Sequence, residues 1–168
     1  MSDHGIVPDH GLGRYQVVPA AYVLLRRTRD GTEEVLLQLR QNTGYRDGFW
    51  AAAAAGHVES GESVFQAAVR EAAEELAVRI DPGDLVPLTT MHRTQGNADP
   101  IDERVDFFFE YRQWVGEPYL VEPHKAAALD WFALDAPPDP VVPHELALLT
   151  ALAAGAVRPV STFGFSRT

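Results

Sequence analysis

Along this chain the spacing of apolar positions switches between the period of a strand and that of a helix, and the switches mark out its elements. Val17 to Arg27 (VVPAAYVLLRR) is a β-branched, apolar run, the pattern of a strand buried on both faces. Pro19 pushes its start toward an edge or a bulge. Asp30-Gly31 is a hairpin signal, so Val35 to Arg40 reads as the return strand. Asn42 to Gly48 is a loop by its turn residues. Phe49-Trp50 then precede the alanines at 51–55. Helix propensity favours that run, but so short a helix is marginal in water. A narrow extended segment, packed closely against the next helix, suits alanine equally well.

The next element has a clearer period. Ser63 and Gln66 form a capping-box pair. Phe65, Val69, Ala72 and Leu76 follow at i, i+4, i+7 and i+11, one apolar stripe of a helix. Asp81-Pro82-Gly83 is a turn, Leu85 to His92 a strand, and Gln95 to Glu103 a polar loop. Arg104 to Arg112 and Ala128 to Leu134 are rich in β-formers and read as strands. After a proline-punctuated connector, His144 to Ala154 reads as a closing helix, with Pro143 in its first turn and Gly155 just past its end. No repeat is present. The expected organisation is a flexible tail over 1–14, one domain over 15–158 and a second tail over 159–168.

Composition narrows the function classes. At 168 residues the chain is long enough to bury a core without staples. A formal charge of -10 argues against broad attraction to nucleic-acid polymers or anionic membranes. It leaves room for a nucleotide whose phosphates a cation neutralises. The absence of cysteine excludes disulfides, thiolate catalysis and Cys-based zinc sites. No leader pattern and no membrane-spanning apolar run is present, so a cytoplasmic enzyme is the expectation.

The chemistry concentrates in Gly56 to Val78. Glu71, Glu74 and Glu75 fall three and four residues apart, on one helix face centred nearly opposite the apolar stripe. Like charges so placed destabilise an isolated helix by roughly 0.2–0.5 kcal/mol per pair. A helix that gathers them reads as a divalent-metal site.

Gly56, five residues, Glu62, seven residues, Arg70-Glu71, two residues, Glu74-Glu75, then Val78: over these 23 positions the chain resembles the signature box of the Nudix (MutT-like) hydrolases. Two positions depart from it. Ala72 fills an aliphatic place, and Ala77 stands where the family has glycine. A left-handed residue there would disfavour alanine by roughly 1–2 kcal/mol, so a different helix exit is expected.

The resemblance implies an α/β fold in which a mixed β-sheet is sandwiched between helices, α/β/α. It also implies a hydrolase of nucleoside diphosphates linked to another group, working with magnesium or manganese. Glu71, Glu74 and Glu75 would be the ligands, with the carbonyl of Gly56. Glu71, Arg70 and Glu62 form the implied catalytic set, Arg70 holding a carboxylate in place and Glu62 supporting it. The base is Glu71 or a later acid: Glu122 in Glu122-Pro123-His124-Lys125, with Asp102 and Glu103 as rivals, each readable also as a solvated loop acid. Arg40 is a phosphate contact or a surface arginine, and Trp50 a stacking platform or core. His57 reads as a loop residue, while His92 and Arg93 could face the pocket. The substrate expected first is a nucleoside triphosphate, giving monophosphate and pyrophosphate. A nucleotide sugar or dinucleotide, or a non-catalytic nucleotide-sensing module, is the alternative. The resemblance also admits a homodimer.

Overall fold

The computed structural model describes residues 15–166, so the tail expected over 1–14 lies outside the described residues. The strands are β1 (Val18–Arg29), β2 (Thr32–Arg40), β3 (Trp50–Ala52), β4 (Ala54–His57), β5 (Val86–Arg93), β6 (Arg104–Tyr111), β7 (Ala126–Ala133) and β8 (Val160–Phe163). The helices are α1 (Val64–Leu76) and α2 (Pro143–Ala153). Neighbours in the mixed sheet run β3-β2-β1-β6-β5-β8, with β4 paired to β1 and β7 to β2.

β1 explains how the domain is layered. Its apolar run alternates between two cores. Ala21, Val23 and Leu25 face α1 through Ala67, Ala68, Ala72 and Leu76. Ala20, Tyr22 and Leu24 join Leu148 and Leu149 of α2. Both faces of the strand are buried, which is why its sequence reads as a continuous apolar run. The expected α/β/α sandwich is therefore present. Pro19 does not put β1 at an edge: it is the strand's second residue, in parallel register with Val105 of β6.

β1 also changes partner along one edge. Ala20 to Val23 pair with β4, whereas Arg26 to Arg29 pair with β2 through the Asp30-Gly31 hairpin. Asp30 and Gly31 both have positive φ, as a tight hairpin turn requires. The switch of partner leaves β2 and β4 unpaired with each other and opens a cleft between them.

Three further expectations need correction. Residues 159–168 are not simply a tail, because Val160–Phe163 adds β8 parallel to β5. Its pairing comes from the backbone, with Thr90 N–H donating to Pro159 O at 2.9 Å and Thr94 N–H to Phe163 O at 3.1 Å; so short a strand has no apolar run to announce it. Second, α1 has the capping box, but its buried face holds Ala67, Ala68, Glu71, Ala72 and Leu76, while Phe65 is 42% exposed. The small alanines let the helix close on β4, which draws Glu71 into the packed face rather than opposite it. Third, Ala77 does not alter the helix exit. It takes the left-handed conformation itself, φ 56° and ψ 24°, with its N–H bonded to Ala73 O at 3.1 Å. Buried Val78 and the bridge from Arg79 to Val115 fix the chain on the far side and hold the strained residue in place.

Candidate active site

Arg70 is the hub around which the box residues assemble. Its Nε and Nη2 donate to the two oxygens of Glu62 at 2.9 Å each, a bidentate pair. Nη1 donates to Glu71 Oε1 at 2.6 Å and Glu74 Oε2 at 3.2 Å, and Nη2 also reaches the carbonyl of His57 at 3.0 Å. Glu62 further accepts the Glu59 N–H at 3.0 Å. The Arg70 guanidinium, with that backbone bond, holds the Glu62 carboxyl down at about 2.

The remaining carboxylates occupy different depths. Glu71 lies against the backbone of β4, where a Cβ on Gly56 would come within 1.9 Å of its Oε1. Only glycine leaves room for it there. Burial pushes the Glu71 carboxyl up, against the opposing pull of Arg70. Glu75 accepts the Ala55 N–H through Oε2 at 2.9 Å. Burial, assisted by the charges of Glu71 and Glu122, pushes its carboxyl up to about 8. The Glu74 side chain is 59% exposed.

These groups share a rim of α1, yet among the described residues no three acidic or histidine side chains converge as a ready metal cage. The donor set still fits magnesium or manganese. It is all oxygen, and Oε1 of Glu75 has no hydrogen-bond partner among the described residues. Magnesium characteristically uses one or two carboxylates plus waters and substrate phosphates rather than a closed protein cage.

Two cavities meet at the cleft between β2 and β4. The first, about 360 Å³, brings together Arg40, Asn42, Thr43, Glu75, Glu122 and Lys125. The second, about 370 Å³, is lined by Tyr22, His57, Arg93, Arg104, His144 and Glu145 among others. Gln38, Arg40 and Ala55 belong to both. Arg40 is oriented by donating to Tyr45 O at 2.9 Å and Thr43 Oγ1 at 3.0 Å. Glu122 pairs with Lys125 at 2.8 Å. Their loop is tied to the neighbouring one by Gln41 Nε2 donating to Pro123 O at 2.9 Å and Asn42 Nδ2 to His124 O at 3.0 Å.

The structure thus brings Arg40 and Glu122 together with Glu75, but not Trp50. That indole packs on Phe132 with ring centroids 4.6 Å apart, and its residue lines neither cavity. Pairing of its backbone with β2, and hydrogen bonds to Pro140 O and from Val142 N–H, direct it into the α2-side core. Asp102 edges the second cavity with its oxygens taken by Gln95 and Asn97 at 2.6 Å each. Glu103 accepts from Thr94 and Tyr15. Arg93 faces the second cavity, whereas His92, one residue away on β5, packs with Tyr15 and Phe165. Lys125, Gln38, Tyr22, Arg104 and Glu145 line the cavities without being expected there from the sequence. Lys125 has a signal, its place beside Glu122, and Gln38 lies two residues before Arg40 on β2, whereas Tyr22, Arg104 and Glu145 reach the cleft only through the meeting of β1, β6 and α2.

The NUDIX domain profile matches residues 17–152. No curated protein matches the sequence significantly. Among solved structures, a MutT NUDIX hydrolase from Burkholderia pseudomallei is 29% identical, with a TM-score of 0.67 over 80% of this chain and 97% of its own. The NUDIX domain of NrtR from Shewanella oneidensis, complexed with ADP ribose, has a TM-score of 0.63 at 18% identity, over 83% of this chain and 88% of its own. A C. elegans Ap4A hydrolase has a TM-score of 0.54 at 23% identity, over 83% of this chain and 97% of its own. The last two are likenesses of fold. The box assembled on Arg70, and a domain match spanning most of the chain, place this protein in the Nudix family of hydrolases, which act on phosphoanhydride bonds.

Proposed function

We propose that the protein hydrolyses a nucleoside triphosphate to a monophosphate and pyrophosphate in the cleft between β2 and β4. The observation that carries this reading is the first cavity, where the carboxylates of Glu75 and Glu122 share one space with the cations of Arg40 and Lys125. Polyphosphate needs such neighbours: cationic groups for its charge, and oxygen ligands for the ion that accompanies it.

Glu71, Glu74 and Glu75, with the Gly56 carbonyl, would hold magnesium or manganese, which when bound neutralises phosphate charge and makes a bound water a better nucleophile. Arg70 positions Glu71 and Glu74 without touching substrate, and Glu62 fixes Arg70 from behind. Arg40 and Lys125 bind the phosphate chain. The water oxygen joins phosphorus, the bridging P–O bond breaks, and the water's proton passes to Glu122. One Glu122 oxygen is engaged by Lys125 and the other has no hydrogen-bond partner among the described residues. Glu71 is less available, because its Oε1 is held by Arg70.

The two cavities, about 360 and 370 Å³, also favour a second reading. Each could take a substituent at one end of a diphosphate, as in a nucleotide sugar or dinucleotide. A panel of nucleoside triphosphates, nucleotide sugars and dinucleoside polyphosphates, incubated with and without magnesium, separates the readings by product. Pyrophosphate release from a triphosphate is the expected result. Cleavage confined to sugars or dinucleotides supports the second reading, and no cleavage of any member at high enzyme concentration overturns both.

A further inference from the structure

The second cavity has a charge balance that hydrolysis at the first does not use. At its base Arg93 and Arg104, 5% and 8% exposed, share one fully buried carboxylate, Asp106. Arg93 Nε is bonded to Asp106 Oδ2, while Arg104 Nε stands 3.6 Å from Oδ1, too far for a hydrogen bond. Arg104 Nη1 is committed to His57 Nε2 at 2.6 Å. That leaves both terminal nitrogens of Arg93 and Nη2 of Arg104 without a hydrogen-bond partner among the described residues. Of this cluster only Arg104 Nε and Asp106 Oδ1 are fully buried without a partner, so the terminal nitrogens keep some exposure to the cavity that their residues line.

The other polar groups on the cavity are hydrogen-bonded elsewhere and not to those nitrogens. Both oxygens of Asp102 are engaged by Gln95 and Asn97. Glu145 Oε2 accepts the Ala52 N–H, its carboxyl pushed up to about 7 by burial. His144 and Tyr22 bond to each other, Nε2 to hydroxyl, at 3.4 Å. Arg40 adds a third guanidinium where the two cavities join. The planar fork of arginine matches the paired oxygens of a phosphate or carboxylate.

We propose that the second cavity is a subsite for a second anion: a phosphate or carboxylate borne by the group joined to the scissile diphosphate, held by Arg93 and Arg104. This rests on the β2–β4 cleft being the diphosphate site, because the cavity continues that cleft past Arg40. The natural substrate class is then a nucleotide derivative with an additional anionic substituent, and its neutral analogue is the poorer ligand.

Calorimetric titration tests this without turnover. The phosphate arm compares adenosine bisphosphates, with the second phosphate on the ribose, against adenosine monophosphate. The carboxylate arm compares UDP-glucuronate with UDP-glucose in the absence of divalent metal. The member with the extra anion should bind at least about tenfold more tightly in one arm, which identifies the anion. Arg104→Met should reduce that ratio to within about twofold, and Arg104→Lys, which keeps the charge, should retain part of it. Equal affinities within both pairs for the unmodified protein overturn the subsite and leave those nitrogens to the carbonyl oxygens of a nucleobase. That result needs no variant to fold. A failure of the hydrolytic reading shows separately, as absent turnover in the substrate panel.

Discussion

Around Arg70 a single guanidinium holds the carboxylates of Glu62, Glu71 and Glu74, with Glu75 beside them; around Asp106 a single carboxylate is shared by Arg93 and Arg104. The two clusters have opposite imbalances and opposite environments. The Arg70 side chain is 23% exposed and that of Glu74 59%, so water and a recruited cation can carry the excess negative charge. Asp106 is fully buried, where excess charge is not screened. An acidic rim and a basic floor on one cleft suit a ligand with a metal-bound anionic centre and a further electronegative end.

The largest effects are expected at the acidic rim. Glu75→Gln should lower turnover by on the order of a hundredfold or more with the fold intact, since even residues that merely support ligands are worth about 10–100-fold. Gly56→Ala should do the same by another route, because its Cβ claims the space of Glu71 Oε1. Steady-state kinetics with near-native circular dichroism check both, and retained activity in either would remove that residue from the site. Arg70→Lys should follow at about 10–100-fold, because an ammonium cannot bridge Glu62 bidentately while holding Glu71 and Glu74.

The basic side is sharpened by acid. Burial, then the charges of Arg93 and Arg104, hold the His144 ring neutral, its pKa lowered from 6.5 to about 2. The unfolded chain takes up a proton below 6.5 that the native state refuses. The stability associated with neutral His144 is therefore complete above that value and is lost as pH falls, by up to about 1.4 kcal/mol per pH unit. Glu145, raised from 4.5 to about 7, runs the other way: its contribution is complete below 4.5 and is lost as pH rises toward 7. Urea denaturation of His144→Gln beside the unmodified protein isolates the histidine. The difference in unfolding free energy should turn against the unmodified protein as pH falls below 6.5, and a flat difference contradicts a neutral buried ring. The smallest effect is expected at the end of α1. Ala77→Gly relieves a left-handed alanine and should raise stability by about 1 kcal/mol in thermal denaturation, with turnover unchanged.

How much of the molecule is legible in the sequence follows from how locally each feature is encoded. The capping box at Ser63 and Gln66, the Asp30-Gly31 turn and the extended alanine run depend on neighbours in sequence, and all three are present. The Arg70 cluster is legible because its spacing is helical and most of its members sit on one element. The floor is not. Arg93 on β5 is readable as a pocket residue, but Tyr22, Arg104 and Glu145 come from β1, β6 and α2, and nothing in their separate surroundings says that they meet it. Trp50 shows the same limit from the other side: its composition suits a stacking platform, while strand pairing decides that it is core.

The change of partner along β1 has a bearing on how such a cleft diversifies. Its width is set by backbone pairing, with Ala20 to Val23 on β4 and Arg26 to Arg29 on β2, and not by the side chains that line it. Substitutions at Gln38 or Arg40, which line both cavities from β2, can therefore exchange one ligand chemistry for another while the opening keeps its dimensions. On the β2 edge selectivity is adjustable apart from architecture, whereas on the floor, where Tyr22 is at once core and lining, the two change together.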